Sequence, residues 1–284
     1  MLNTIGKTPL LNIDGIYAKL ETTNPTGSVK DRMAHYIAKK AEDRGELKKG
    51  MKVIEATSGN TGIAFSMISA VKGYKFTAVM PESMSIERRK MIKSFGGEIV
   101  LTPAKDDIAG TMKKYKELVS ENPDAFLPKQ FSNPDNIIAH EKGLGQEIIK
   151  QMPEVDAFVA GAGTGGTLIG VAKALKKFNP DVKIFVVEPE ESAVLSGKKP
   201  GLHKIQGIGE GFIPKILKEN LDLVDEIITI TDDDAIKTSQ DLTQKHGVLV
   251  GISSGANFLA AQTIKDKYQN VVTIFPDRGE RYLS

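Results

Sequence analysis

The chain has 284 residues, enough for one large or two modest domains with a sizeable hydrophobic core. Its 38 basic and 36 acidic residues leave a net charge of +2, which argues against a nucleic-acid partner and against an acidic tail. The absence of cysteine excludes disulfides and thiolate chemistry, and the four histidines lack the spacing of metal ligands. No apolar run approaches a membrane span and Met1 leads into a turn, not a signal peptide, so we expect neither a membrane partner nor a structural metal.

In the first half of the chain, short apolar segments alternate with segments of helical periodicity. The predicted elements are a strand at 15–21, a helix capped by Ser28 that ends near Gly45, a strand at 52–56, a helix at 63–71, a strand at 76–80, a helix at 86–95 capped by Ser85, a strand at 98–101 and a helix at 108–120. Strands that alternate with helices of this length predict a parallel α/β architecture.

The second half continues the alternation. Its predicted elements are a helix at 137–151, a strand at 157–160, a helix that ends at 178, a strand at 183–188, a weakly patterned loop at 192–211, a strand at 226–230, a helix capped by Thr231 or Asp232, a small-residue helix that begins near 251–255 and a strand at 271–275. We expect two wound α/β halves, with the chain crossing between them near Lys30 and near Asn133.

One lysine stands in an unusual place. In the segment NPTGSVKDR, a proline and a glycine interrupt regular structure and Ser28 is typical of a helix N-cap. Lys30 then falls in the first helical turn, where the helix dipole favours the neutral amine over the ammonium. A neutral amine can form a Schiff base or act as a base. An ordinary solvated helix start with a badly placed lysine explains the pattern equally well.

Glycines and threonines follow a buried strand in the segment Gly163-Thr164-Gly165-Gly166-Thr167. The glycines allow close backbone approach, and the free N–H groups at the start of a helix suit a phosphate. The pattern G-x-G-x-x-G, which begins at Gly161, is also present, and Glu188 ends the next strand in the place of a ribose-binding acid. A dinucleotide-binding oxidoreductase is therefore an alternative at this point.

Two further polar loops also lie where a strand ends and a helix begins, the place where open α/β sheets bind ligands. The loop Thr57–Gly62 offers three hydroxyls and an amide without a charged side chain, which suits a small carboxylate. An elaborate helix cap is its alternative. The loop Gly251–Gly255 carries two serines between glycines and is weak evidence by itself, because serine caps are common.

Together, these loops and the lysine segment resemble the cysteine synthase (O-acetylserine sulfhydrylase) and cystathionine β-synthase family of pyridoxal-phosphate enzymes. The resemblance runs from TIGKTPL at Thr4 to RGERYLS at Ser284, and NPTGSVKDR, TSGNTG, GTGGT, QGIG and GISSG occur in the family's order. It implies the tryptophan-synthase-β-like fold (fold type II), an α/β fold with two three-layer αβα domains and mostly parallel sheets. The larger, pyridoxal-phosphate-binding domain would comprise 1–33 and 134–284, and the smaller mobile domain, which closes over the substrate, 34–133.

The resemblance also implies residue roles and partners. Lys30 would be the Schiff-base lysine, Asn60 would bind the 3-hydroxyl of the cofactor and Ser253 its ring nitrogen. The cofactor phosphate would be held by Gly163, Thr164, Gly165, Gly166 and Thr167. The substrate carboxylate would be bound by Thr57, Ser58, Thr61 and Gln130, and Gly207 would line the pocket. Relatives are cytoplasmic homodimers, and a serine acetyltransferase is a further partner to test.

The implied reaction is β-replacement on a β-substituted L-alanine through an aminoacrylate, in which O-acetyl-L-serine and sulfide give L-cysteine and acetate. Glu210 replaces a small residue common in the sulfhydrylases, so the nucleophile stays open. The same scaffold could release hydrogen sulfide from L-cysteine and form L-serine or a thioether such as lanthionine. Lys30 and Glu210 are the catalytic candidates, with Asp232 as a third that helix capping explains more often. The oxidoreductase alternative does not account for Lys30 or for the loop Thr57–Gly62.

Overall fold

The computed structural model describes residues 1–57 and 59–283, and within them every side chain except those at 107 and 108. The chain divides into two compact units: the first comprises Met1–Ile5 and Lys30–Lys129, and the second comprises Gly6–Val29 and Gln130–Leu283. The roles predicted for two such domains, cofactor binding and closure over the substrate, stay predictions.

The strands of the described part of the chain are short. In chain order they are β1 (Leu10–Ile13), β2 (Ile16–Leu20), β3 (Lys52–Ala56), β4 (Lys75–Pro81), β5 (Glu98–Thr102), β6 (Ala157–Gly161), β7 (Lys183–Pro189), β8 (Glu226–Ile230) and β9 (Val271–Phe275).

The helices are α1 (Lys30–Asp43), α2 (Asn60–Lys72), α3 (Ile86–Ser94), α4 (Asp107–Glu121), α5 (Pro134–Lys142), α6 (Leu144–Gln151), α7 (Gly166–Phe178), α8 (Lys215–Lys218), α9 (Asp232–His246) and α10 (Ile252–Ile264). Within the described ranges, none of them is both long and apolar enough to cross a membrane.

The first unit is built on a parallel sheet of order β3-β4-β5. The central strand β4 is buried from Phe76 to its end, as expected for a parallel strand covered on both faces. Helix α2 packs against α1 and buries every residue from Thr61 to Ser69. Met33 of α1, Ile63 of α2 and Phe76 of β4 belong to one hydrophobic cluster, which forms the core of this unit.

The second unit contains a sheet of order β1-β2-β9-β6-β7-β8, in which all neighbours run parallel except β1 and β2. Alternate residues of β6 face opposite sides. Phe158 and Ala160 pack with residues of α5, α6 and α7, whereas Ala157 and Val159 pack with residues of α9 and α10. Helices therefore cover both faces of the sheet, and the carboxyl ends of its parallel strands lie along one edge.

The single helix predicted at 137–151 is wrong: two helices, α5 and α6, meet at Gly143. The φ of −108° and ψ of −93° at this glycine lie outside the helical region. Helix α5 also begins earlier than predicted, at Pro134, because Asn133 caps it by accepting the N–H of Asp135 at 2.9 Å. A local apolar pattern continues through such a break, so the sequence did not reveal it.

Two helix starts near the predicted site also differ from expectation. Helix α2 begins at Asn60 and not at Ile63, which places Asn60 in the first helical turn. Helix α1 begins at Lys30, two residues after the predicted cap Ser28. The backbone of Ser28 forms an antiparallel β-bridge with Asp277. A segment from the far end of the chain thus pairs with the residues just before this helix.

A buried charge connects β2 to α6 in the second unit. Lys19 is fully buried, and its ammonium donates to the Thr8 carbonyl at 2.6 Å, to the Glu147 carboxylate at 3.0 Å and to the Gln151 side-chain oxygen at 2.8 Å. Glu147 also accepts the N–H of Thr8 at 3.2 Å. The carboxylate thus compensates an ammonium that water does not reach.

We expect Glu147→Ala to destabilise the protein by about 1–3 kcal/mol, because it removes the carboxylate that accepts hydrogen bonds from the buried Lys19 ammonium and from two backbone N–H groups. Denaturant unfolding monitored by circular dichroism measures this free energy. Asp241→Ala is the matched control, because Asp241 pairs with the exposed Lys245 at 3.2 Å and its loss should cost no more than about 0.5 kcal/mol. Equal losses in the two variants would contradict the role given to the buried pair.

Candidate active site

The carboxyl end of β6 leads through a glycine-rich turn, Gly163–Thr167, into α7. Gly165, directly before the helix, has a φ of 86°, a left-handed conformation that glycine adopts without strain. The first N–H groups of a helix have no acceptor inside the helix, and the helix dipole adds partial positive charge there. This turn can therefore accept an anion.

The path of the turn requires glycine at two positions. A Cβ atom on Gly163 would lie 2.3 Å from the carbonyl oxygen of Gly207, and one on Gly166 would lie 2.0 Å from the side-chain oxygen of Asn136. Both distances are far below van der Waals contact, so side chains are excluded and the backbone N–H groups can approach a ligand closely. These residues fit the cofactor phosphate that the sequence predicts.

Two residues that the sequence analysis missed hold this turn in place. The amide of Asn136 donates to the Thr164 hydroxyl at 3.0 Å and to the Gln130 carbonyl at 2.8 Å. Nε2 of His140 lies 3.2 Å from the Thr167 hydroxyl. Both residues are buried in α5, four positions apart, and this spacing of polar residues on one helix face is the only trace that the sequence carries.

The structure brings two of the predicted residues, Gly207 and Glu210, next to the glycine-rich turn. Both belong to the segment 207–210. Gly209 donates its N–H to the Ala162 carbonyl at 3.1 Å, which holds this segment against the residue before Gly163. The carboxylate oxygen Oε1 of Glu210 lies 3.5 Å from the position that a Cβ on Gly163 would take. Glu210 therefore faces the start of the turn.

A small cavity of about 20 Å³ adjoins the same segment. Its lining includes Ala162 and the two carboxylate residues Glu188 and Glu210. A volume of this size holds one water molecule when polar groups line it. Glu210, which was predicted to determine which nucleophile reacts, thus lies beside a cavity that can hold one water molecule.

Asp232 lies at the start of α9 but is not its cap. Thr231 caps the helix by accepting the N–H of Asp234 at 3.2 Å. Both carboxylate oxygens of Asp232 accept the N–H of Lys204 at 2.8 Å, and the N–H of Asp232 donates to Glu191 at 2.9 Å. These contacts fix the loop at Lys204, which continues to Gly207 beside the glycine-rich turn.

Glu188 was the acid that made a dinucleotide site an alternative. It is buried at the end of β7, where its carboxylate accepts the N–H of Leu195 at 2.8 Å and the N–H of Ser196 at 2.9 Å. The Ser196 hydroxyl donates to it as well. Because these groups bind both oxygens, Glu188 holds a loop of its own unit and is poorly placed to bind a ribose.

Ser253 lies in the first turn of α10 and is buried. Among the residues that the structure describes, none hydrogen-bonds to its hydroxyl. One turn later, Asn257 accepts the N–H of Gly161 at 2.8 Å and donates to the Ile274 carbonyl at 3.1 Å, which fixes α10 against β6 and β9. A hydroxyl without a hydrogen-bond partner among the described residues fits a polar ligand atom such as a ring nitrogen.

The remaining predicted residues belong to the first unit. Lys30 is half-buried and is the first residue of α1. The hydroxyl of Thr57, which follows β3, accepts a backbone N–H two residues later at 3.4 Å, and Asn60 and Thr61 begin α2. Ser58, predicted to bind the substrate carboxylate, lies outside the described residues.

A buried carboxylate precedes this loop. Glu55 accepts the N–H of Ala56 at 3.0 Å and lies close to the phenol of Tyr115 in α4. Burial, and then the charge of Glu55, raise the pKa of Tyr115 above its usual value. Tyr115 therefore stays neutral across the physiological range, and it adds no second negative charge beside the strand that leads to Thr57.

These features define a class of protein. At the carboxyl edge of a parallel sheet, a turn excludes side chains at two of its glycines and leads into a helix N-terminus, and the same unit holds a hydroxyl without a hydrogen-bond partner among the described residues. Such features are typical of an α/β enzyme that binds a phosphate-bearing cofactor.

Comparisons with known proteins identify the family. The family model described as pyridoxal-phosphate dependent enzyme matches residues 1–277. A cysteine synthase of Staphylococcus aureus (strain Mu50 / ATCC 700699) is 48% identical over an alignment of 293 positions. The alignment covers 99% of this chain and 94% of that protein. The crystal structure of a cysteine synthase from Entamoeba histolytica matches with a TM-score of 0.95 and 44% identity, covering 100% of this chain and 88% of that one. A hydrogen sulfide-producing enzyme from Fusobacterium nucleatum matches with a TM-score of 0.94 and 44% identity, covering 99% and 89%.

The chain therefore belongs to the pyridoxal-phosphate dependent enzymes. This membership confirms the resemblance stated from the motifs, the predicted α/β fold class and the predicted cofactor. The dinucleotide-binding alternative loses its support, since neither the family nor the contacts of Glu188 favour it.

Proposed function

We propose that the protein catalyses a β-replacement of the cysteine synthase type, in which O-acetyl-L-serine and sulfide give L-cysteine and acetate. The observation that carries this proposal is the 48% identity to a cysteine synthase over 99% of the chain. Similarity of this extent includes both units, so it supports a whole enzyme of this type and not a shared cofactor domain alone.

In this proposal the second unit holds most of the cofactor. The turn Gly163–Thr167 binds its phosphate through backbone N–H groups and two threonine hydroxyls, and Ser253 binds its ring nitrogen. The exclusion of side chains from the turn and the unpartnered hydroxyl of Ser253 support these two assignments. Asn60 of the first unit binds the 3-hydroxyl. Pyridoxal phosphate, when bound, supplies an electron sink for the electron pair that the departing α-proton leaves behind.

Lys30 carries the proton in this reaction. Its Nζ would hold the cofactor in the resting enzyme, and as a free amine in the presence of substrate it would take the α-proton and later return it. The first position of α1 supports this role, because the positive end of the helix dipole favours a neutral amine.

Ser253 sets the outcome of the proton removal. A serine hydroxyl binds the ring nitrogen without holding a proton on it, whereas an aspartate would hold one. With serine at this position the cofactor would take less negative charge into its ring, so the site would favour departure of the β-substituent over transamination.

The substrate carboxylate is bound in this proposal by neutral groups. Hydroxyl and amide donors come from Thr57, Ser58, Thr61 and Gln130, and Gly207 lines the pocket. The N-terminus of α2 adds backbone N–H groups, which favour an anion without a charged side chain. Asn136 joins Gln130 to the phosphate turn, which supports a position for Gln130 near the cofactor.

Release of hydrogen sulfide from L-cysteine, with formation of L-serine or a thioether such as lanthionine, is a second candidate. Glu210 favours it, because its carboxylate faces Gly163 and the residue borders a cavity the size of one water. A carboxylate there repels hydrosulfide, an anion, and can accept a proton from water or from a neutral thiol. We assign Asp232 to holding the loop at Lys204 and not to proton transfer.

Two parallel assays of the purified protein test the proposal. One supplies O-acetyl-L-serine and sulfide and measures L-cysteine, and the other supplies L-cysteine alone and measures hydrogen sulfide. Faster cysteine formation supports the synthase, and faster sulfide release supports the second candidate. A protein that takes up pyridoxal phosphate and performs neither reaction would contradict both.

We expect Glu210→Ala to lower hydrogen sulfide release from L-cysteine by about 10²-fold, the usual contribution of a general base. It should raise cysteine formation, because hydrosulfide no longer meets a like charge. Steady-state rates of both reactions measure the change. Glu219→Ala is the control, since Glu219 is exposed and pairs only loosely with Lys215 at 3.7 Å. Equal effects on the two reactions would show that Glu210 does not select the nucleophile.

The partners implied by the resemblance are part of the proposal. We expect a homodimer in the cytoplasm, and a serine acetyltransferase is a candidate partner. Sedimentation of the protein alone and in mixture with such an acetyltransferase tests both expectations.

A further inference from the structure

Near its end the chain forms a segment, Pro276–Tyr282, that pairs with the loop before Lys30. Val29 donates its N–H to the first carbonyl of the segment at 2.8 Å, and Ser28 forms an antiparallel β-bridge with Asp277. Because Lys30 follows Val29 directly, the segment Pro276–Tyr282 fixes the backbone immediately before Lys30.

Two arginines of the segment bind further carbonyls of the same loop. The guanidinium of Arg281 donates to the Gly27 carbonyl at 3.3 Å and also to the Thr26 carbonyl. Nε of Arg278 donates to the Thr22 carbonyl at 2.9 Å. Arg281 is buried, so these are charge-assisted hydrogen bonds in a site with little water. The loop is therefore held by side chains as well as by backbone pairing.

The other side of the segment holds the start of α10. The carbonyl of Asp277 accepts the N–H of Gly251 at 3.1 Å, and Gly279 donates its N–H to the Leu249 carbonyl at 3.3 Å. A Cβ on Gly251 would lie 2.1 Å from the Asp277 carboxylate, so these two segments of the chain are in close contact. Gly251 is the residue before α10, whose first turn contains Ser253.

The carboxylate of Asp277 connects the two sides. It accepts the hydroxyl of Tyr282 at 2.7 Å and lies 3.9 Å from Nη1 of Arg281. The side chains of Asp277 and Arg281 are only 2% and 4% exposed, so their charges compensate each other in the interior. A shift of either residue is thereby felt at both the lysine loop and the α10 start.

We propose that Arg281 is a positioning residue for Lys30, and that through Asp277 the same segment fixes the turn that carries Ser253. The inference rests on the proposed function, in which these two side chains meet one cofactor. Proton transfer from a lysine requires placement to within about 0.5 Å, and a backbone held at several carbonyls provides it. In this role Arg281 acts through the loop that precedes Lys30 and not as a catalytic residue.

The test compares holoenzymes of the wild type, Arg281→Met, Arg281→Lys and Tyr282→Phe. For Arg281→Met we expect kcat to fall tenfold or more with KM within threefold, and the pH midpoint of the absorbance of the covalently bound cofactor to shift. Hydrogen exchange at the amides of Val29 and Gly251 should become at least tenfold faster. Millimolar guanidinium, which replaces the lost group, should restore part of kcat.

The conservative variants keep the proposal testable if Arg281→Met does not fold. Arg281→Lys retains the charge but not the paired donors, and Tyr282→Phe removes the hydrogen bond to Asp277, so both should show smaller shifts of the same kind. Arg44→Met is the matched control, because Arg44 is exposed and pairs with Glu46 at 3.0 Å.

The outcomes separate this inference from the proposed function. An active wild type whose variants keep its pH midpoint, kcat and exchange rates would overturn the inference and leave the function standing, and so would variants that lose only thermal stability. A wild type that binds no pyridoxal phosphate and shows no turnover would overturn the proposed function itself.

Discussion

Lys30→Ala is expected to lower the rate of β-replacement by about 10²–10⁴-fold or more, the range that a positioned proton carrier contributes. The reason is that alanine can neither attach the cofactor nor take and return the α-proton. The fold should remain, because the side chain of Lys30 is only half-buried at the start of α1.

Two measurements check this expectation. Borohydride reduction followed by mass spectrometry should find the cofactor covalently attached to Lys30 in the wild type and absent from the variant. Steady-state kinetics then give the loss of turnover. Lys39→Ala, an exposed lysine on the same helix, is the control and should behave as the wild type. Cofactor attached elsewhere, or a variant that keeps its activity, would remove Lys30 from its assigned role.

Gly163→Ala has the second largest expected effect, on cofactor affinity. The new methyl group would lie 2.3 Å from the Gly207 carbonyl oxygen, and a backbone group cannot rotate away as a side chain can. Overpacking of this kind costs about 1–3 kcal/mol. If the turn relieves it by moving, its N–H groups lose their alignment on the phosphate, and affinity should fall about 5–150-fold.

Titration of the cofactor-free protein with pyridoxal phosphate measures this affinity. Gly145→Ala is the matched control, because its Cβ would meet Ala174 at 2.5 Å, an overlap of similar severity between α6 and α7. That variant should lose stability while its folded fraction binds the cofactor normally. If Gly163→Ala binds as tightly as the wild type, the turn is not the phosphate site.

Local signals in the sequence were enough to predict the alternation of strands and helices and the polar turns at the strand ends. The turn at Gly163–Thr167 is an example: its glycines allow a left-handed residue and close backbone approach, and both requirements are written in the residue types themselves. The motifs that carry the family resemblance are local in the same sense, so the sequence alone indicates the family.

Partners distant along the chain were decided only by the tertiary structure. Asp232 was one of two predicted caps of α9, yet Thr231 caps the helix and the Asp232 carboxylate accepts the backbone N–H of Lys204, 28 residues away. Glu188 was predicted as a ribose-binding acid if the site held a dinucleotide, and it binds a loop of its own unit instead. A residue's type states that it can accept a hydrogen bond, but the fold determines which donor reaches it.

The sequence by itself thus determined the α/β class, the glycine turn and the unusual position of Lys30, because these depend on backbone conformation within a few residues. Only the tertiary structure revealed three other features: the helix break at Gly143, the hydrogen bond from Asn136 to the glycine-rich turn and the contact of Arg281 with the loop before Lys30. The last of these joins residues 254 positions apart. Such a contact exists only once the sheet has brought the two ends of the chain together, and no local pattern encodes that event.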